Sequence, residues 1–186
     1  MKILAIADRN PHINIIDVVT QEAVDIIVTL GDLERSDIAA LEFITHIPKL
    51  GVYGNHCSGT YMQGLGIQNM HLKVSEFGGL RFGGFEGCVR YKENPQAIMY
   101  TQEEATTKMQ DFPPVDVFLS HCPPRGINDE EEIAHQGFDV LRTYLDDKQP
   151  MAWLHGHTYP TAQTMVRTHG ATRIEYVHMA QIITIG

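Results

Sequence analysis

Short apolar runs alternate with polar turns and with helical spacings along this chain, and that alternation predicts α/β organisation. Residues 3–7 read as a buried strand running straight into the polar turn Asp8-Arg9-Asn10-Pro11-His12. Pro11 suits the first position of a helix, with Ile13, Ile16 and Val19 following at amphipathic spacing. Residues 26–30 form a second apolar run that ends at Gly31-Asp32-Leu33-Glu34. Ser36 then predicts a capped helix through Thr45, with Ile38, Leu41, Phe43 and Ile44 as its apolar positions. Residues 50–53 make a third strand and end at Gly54-Asn55-His56.

The middle of the chain changes character. Residues 70–77 and 80–85 predict a hairpin turning at Gly78-Gly79. Residues 101–110 predict a helix capped by Thr101, with Glu104 three residues on. Strands follow at 115–119, ending at Ser120-His121, and around Trp153, ending at His155-Gly156-His157, with a helix over 138–145 between them. The run Asp129–Glu132 reads as a solvated acidic face. Residues 161–186 hold β-rich runs broken at His169-Gly170-Ala171, which reads as a meander.

Composition narrows the class. At 186 residues the expectation is one domain over 1–186, and 43 % apolar content supplies a sizeable core. The net charge of −9 lacks the footprint of a protein that binds long nucleic acid or an anionic membrane. No apolar run reaches the roughly 18 residues that span a bilayer, and the N-terminal run is too short for a signal peptide. Cys57, Cys88 and Cys122 form no CxxC pair, so neither a disulfide scaffold nor a zinc finger is indicated. The expectation is a cytoplasmic, reduced protein.

Chemistry collects where strands end. In open α/β sheets ligands bind beyond the carboxyl ends of the strands. Five polar clusters sit there: Asp8, Asp32, Asn55-His56, His121 and His157. Carboxylate and amide oxygens mixed with imidazole suit a divalent transition metal such as Mn, Fe, Zn, Ni or Co. Each residue also has a plain structural role open to it. Asp and Asn cap helices and turns, and a buried histidine often serves only to bond a backbone carbonyl.

The ordered motifs Asp8-x-Asn10, Gly31-Asp32, Gly54-Asn55-His56, Ser120-His121 and Gly156-His157-Thr158-Tyr159 resemble those of the calcineurin-like metallophosphoesterases. That family reads D-x-H, G-D, G-N-H followed by an acid, H, and G-H-x-H, in this order. The resemblance implies a four-layer α-β-β-α sandwich of two mixed sheets flanked by helices. It also implies one or two metal ions, and a metal-held hydroxide that attacks the phosphorus of a phosphoester. By position, Asp32 would bridge two ions, with Asn55, His121 and His157 completing one site and Asp8 serving the other. Asn10 stands where D-x-H has its histidine; it either ligates through its amide oxygen or holds a water. Tyr159 replaces the last histidine of G-H-x-H, and Cys57 replaces the acid after G-N-H.

By the same resemblance His56 protonates the leaving oxygen, a role that suits a group titrating near neutrality, and Asn55 helps to stabilise the phosphoryl charge. The expected substrate is a small phosphoester, more a diester than a protein phosphomonoester. The alternative is a one-metal or degenerate binding module with little turnover, because two imidazoles of the pattern are replaced.

Overall fold

The computed structural model describes residues 1–186. The first third holds β1 (Lys2–Ala7), α1 (Ile15–Gln21), β2 (Ile26–Thr29), β3 (Lys49–Gly51), α2 (Tyr61–Gly64) and β4 (Gln68–Asn69). The middle adds β5 (Val74–Phe77), β6 (Leu80–Phe85), β7 (Cys88–Val89), β8 (Met99–Tyr100) and α3 (Gln102–Met109). The last third holds β9 (Val117–Ser120), α4 (Asp139–Lys148), β10 (Ala152–His155), β11 (Thr168–His169), β12 (Thr172–Tyr176) and β13 (Met179–Thr184).

Two mixed sheets carry the architecture. One has the order β13-β1-β2-β3-β4 and the other β11-β12-β10-β9-β6-β5. A two-stranded ribbon, β7-β8, lies apart from both. Strands β1, β2 and β3 run parallel in the first sheet, and β6, β9, β10 and β12 run parallel in the second. Their inner faces meet in one apolar layer that joins Ile3, Val28 and Leu50 to Phe82, Leu119 and Leu154. Outside the first sheet, Leu4, Ile6 and Ile27 pack on Ile15, Val19 and Leu41. Outside the second, Phe118 and Trp153 pack on Ala105, Leu141 and Leu145. The fold is therefore a four-layer α-β-β-α sandwich. Each large side chain buried in these layers contributes about 1.5–3 kcal/mol relative to exposure.

Local chemistry explains several elements. In α3 the Glu104 N–H donates to the Thr101 hydroxyl at 3.1 Å, and the Thr101 N–H donates to the Glu104 carboxylate at 2.8 Å, a complete capping box. The β5–β6 hairpin turns at Gly78 and Gly79, with φ of 58° and 78°. Two consecutive positive φ values are what a tight hairpin turn requires.

Three expected elements differ. Helix α1 starts at Ile15 behind Asn14, whose side chain accepts from the Asp17 N–H, so Pro11 lies in the preceding loop. The buried face is Ile15 and Val19, while Ile13 and Ile16 are exposed. Residues 36–45 hold a single 3-10 turn, Ala39–Phe43, without a side-chain cap, and Phe43 is 77 % exposed. Its apolar residues Ile38, Leu41 and Ile44 recur every third position, which matches the three-residue period of that tighter helix. The C-terminal runs are no meander within one sheet. Strand β12 lies parallel to β10, then the chain crosses to the first sheet, where β13 pairs antiparallel to β1.

Candidate metal centre

The parallel strands of both sheets deliver their carboxyl ends to one place. Asp8 follows β1, Asp32 lies beyond β2, Asn55 and His56 lie beyond β3, His121 follows β9, and His157 lies beyond β10. Asp8, Asp32 and His157 all hold positive φ, at 66°, 50° and 70°. Non-glycine residues kept there cost about 1–3 kcal/mol each and cluster at functional sites. Gly31 makes the convergence possible: a Cβ on it would stand 2.3 Å from the Gly54 nitrogen and 2.8 Å from Nδ1 of His121.

His121 is the hub, fully buried. Its Nδ1 lies 2.7 Å from the Leu30 carbonyl, which can only accept, so Nδ1 carries a proton and Nε2 faces the centre. Around Nε2 stand Asn55 Oδ1 at 3.0 Å, His157 Nδ1 at 3.1 Å and Asp32 Oδ2 at 3.4 Å. His157 is oriented in the same manner, its Nε2–H donating to the Ala134 carbonyl at 2.8 Å and leaving Nδ1 bare. Carbonyls that fix the far nitrogen of each imidazole are the usual support of metal-binding histidines. Three acceptors therefore surround one ring nitrogen, an arrangement that suits either a proton on Nε2 or a cation in its place. Asp32, His121 and His157 lie within metal-sharing reach of one another.

Electrostatics follow from burial and charge. Burial opposes ionisation of His121, but the carboxylates of Asp32 and Asp8 outweigh it and hold the ring up at about 9. Burial likewise opposes the charge on Asp32, yet His121 and the His56 N–H bring it down to about 2. His157 falls to about 3 through burial and the neighbouring His121 charge, so it presents a neutral ring. Burial pushes Asp8 up, against the pull of His121.

The remaining expected residues divide. His56 is exposed, donates its N–H to Asp32 Oδ1 at 2.8 Å, and lines a cleft of about 490 Å³ with Arg35, Ser58, Thr60 and Asn94. Asp8 accepts the His157 N–H on both oxygens and lies 3.8 Å from Nδ1 of His121. Asn10 sits in a turn: its amide nitrogen donates to Asp37 at 2.9 Å and its oxygen accepts the His12 N–H at 2.8 Å. Both ends of that side chain are engaged in a turn, the oxygen through one of its two lone pairs. Tyr159 is half exposed and packs edge-on against His135 and His178.

Cys57 has a structural task in place of the acid. Its buried sulfur accepts the N–H groups of Asp32 and Gly54 at 3.2 and 3.3 Å, tying the two turns together. His155 points elsewhere, donating to the Gly156 carbonyl and accepting from Asn128. The acidic run is only partly solvated. Asp129 is inward, accepting from Arg125, Gly126 and Gly137, while Glu131 is exposed. This organises the loop whose Ala134 carbonyl holds His157.

Sequence patterns did not mark His178, which lies beyond β12 with Nδ1 3.8 Å from Asp8 Oδ2. Only the long-range pairing of β13 with β1 places it there.

No protein-family model matches the chain, and no curated protein matches it. Solved structures do. One crystal structure shares 16 % identity at a TM-score of 0.66, covering 94 % of this chain and 89 % of its own. TT1561 of Thermus thermophilus shares 17 % identity at a TM-score of 0.59, covering 93 % of this chain and 87 % of its own. The fold is shared. At these identities the likeness extends to architecture alone.

Proposed function

We propose that this chain is a metal-dependent phosphoesterase of the calcineurin-like kind, acting on a small phosphodiester. The observation that carries the reading is the convergence of Asp32, Asn55 and His157 on Nε2 of His121. Those four donors would hold a divalent transition metal, with both imidazoles already turned by backbone carbonyls. When bound, such an ion supplies Lewis acidity toward water and phosphoryl oxygen.

This chain's own side chains do the rest. Asn55 lends its amide to the charged phosphoryl group. His56, exposed at the mouth of the cleft, gives a proton to the departing oxygen and needs no covalent intermediate. The cleft beside it is polar and small, which suits a compact phosphoester. The net charge of −9 disfavours a long nucleic acid. No helix is long and apolar enough to cross a membrane, and a cytoplasmic setting accords with three free, buried cysteines. The commitment of Asn10 to its turn favours one specific second reading, a centre with a single ion and little turnover.

The test is metal content per chain together with hydrolysis of a generic aryl phosphodiester, for wild type and Asp32→Ala. Bound metal and turnover are expected in the wild type and lost together in the variant. Survival of both in Asp32→Ala would overturn the site, and a metal-loaded wild type without turnover would leave only the binding module.

A further inference from the structure

Beside the four-donor cluster lies a ring nitrogen with no partner. The antiparallel register pairs Met179 with Ala7, so the next position along each strand sets His178 opposite Asp8. Nδ1 of His178 is buried, makes no hydrogen bond, and stands 3.8 Å from Oδ2 of Asp8. That distance is too long for a hydrogen bond. It suits two ligands of one ion, because donors about 2.0–2.2 Å from a cation stand roughly 3–4 Å apart.

The ring is braced for a fixed role. Tyr176 stacks on it at an interplanar angle of 16°, and Tyr159 meets it edge-on with centroids 5.9 Å apart. Met179, the next residue, holds φ of 64°, the same strained region occupied by Asp8, Asp32 and His157. Tyr159 occupies the motif position of a missing imidazole, and its ring now supports an imidazole that arrives from another strand.

We propose that His178 is a nitrogen ligand of a second divalent cation, held with Asp8 and completed by solvent, and that it compensates for Asn10 and Tyr159 at the motif positions. The proposal rests on the metal-centre reading above but concerns a residue outside every motif that supports it. Nδ1 of His178 faces Oδ2 of Asp8 and is not among the four donors gathered at Nε2 of His121, so loss of the His178 ring removes one ion and leaves the other.

The test is Co²⁺ binding to the intact chain, read by stoichiometry and by visible absorption, with anomalous scattering from Co²⁺-soaked crystals of the wild type. Wild type is expected to bind two ions, one of them touching Nδ1 of His178. His178→Ala is expected to bind the first ion normally and the second at least tenfold more weakly, with the matching part of the absorption lost. Unchanged binding of the second ion in His178→Ala overturns the proposal. So does a wild type that binds one ion only, at Asp32, Asn55, His121 and His157, although the metal-centre reading then survives. A wild type that binds none overturns both. Should His178→Ala fail to fold, the wild-type crystal decides, and a second ion remote from His178 refutes the assignment.

Discussion

The backbone N–H of His157 donates to both carboxylate oxygens of Asp8, at 3.0 and 3.1 Å, across 149 residues of chain. Asp8 ends a strand of the first sheet and His157 follows a strand of the second, so this contact closes the two sheets at the site. Asp8 therefore has a structural duty before any ion arrives. Its removal leaves a buried N–H without an acceptor, a loss of about 1–3 kcal/mol. Asp8→Ala is expected to lower metal-free stability by that amount in denaturant titration, and Asp8→Asn, which keeps an accepting oxygen, by clearly less. Equal stability of the two variants would show that the contact does not hold the sheets together.

His56 contributes to the centre through its backbone, by donating to Asp32, while its ring stays free at the cleft. Truncating the ring leaves that N–H in place. His56→Ala is expected to keep its metal content and to lower turnover by about 10²–10⁴, the range for losing a general acid. The loss should shrink for a substrate whose leaving group needs no proton. Loss of metal in this variant would make the ring a ligand instead.

His121 sets the pH behaviour. Its pKa rises from 6.5 to about 9 on folding, so the proton it gains stabilises the metal-free chain fully below 6.5 and loses that effect as pH climbs toward 9. Asp32 falls from 3.8 to about 2, so its contribution is present above 3.8 and is lost as pH drops toward 2. Burial of Asp8 works in the opposite direction, favouring its proton and costing stability as pH rises past 3.8. Metal-free stability is therefore expected to decline between pH 6.5 and 9. A cation must displace the Nε2 proton of His121, so metal affinity should rise through the same window. Calorimetry at pH 7 in two buffers of different ionisation enthalpy should find close to one proton released as the first ion binds. No release would mean that His121 is neutral or is not a ligand.

The polar residues at 32, 55, 121 and 157 are legible because each follows an apolar run that reads as a buried strand and because their order along the chain resembles a known set of motifs. Parallel strands put successive carboxyl ends side by side, so local order along the chain becomes proximity in space. His178 carries no such mark. Tyr176, Val177 and Met179 surround it in what reads as continuous β-strand, and its place beside Asp8 depends on a pairing between the two ends of the chain. The carbonyls of Leu30 and Ala134 that orient the imidazoles are equally invisible, since any residue supplies a carbonyl. The helix at 36–45 fails for a different reason: Ile38, Leu41 and Ile44 are compatible with both helix types, and the shorter period prevails.

Asn10 shows how a motif position can be reassigned. Motif order places it with Asp8, yet its amide bridges the His12 N–H and the Asp37 carboxylate, 27 residues away. A side chain with both polar ends in use orders the loop before α1, and an ion must compete with that turn for its oxygen. Two hydrogen bonds at an incompletely buried position contribute about 1–2 kcal/mol together. Asn10→Ala is therefore expected to lower stability by that amount while metal stoichiometry and affinity stay at wild-type values. Asn10→His should not raise affinity either, because the imidazole must first release the turn and Asp37 would compete for its N–H. Metal titrations of both variants beside the wild type measure this directly. A drop in stoichiometry for Asn10→Ala would make the amide oxygen a ligand that leaves its turn when the cation binds. A rise for Asn10→His would show that the turn yields to metal at little cost.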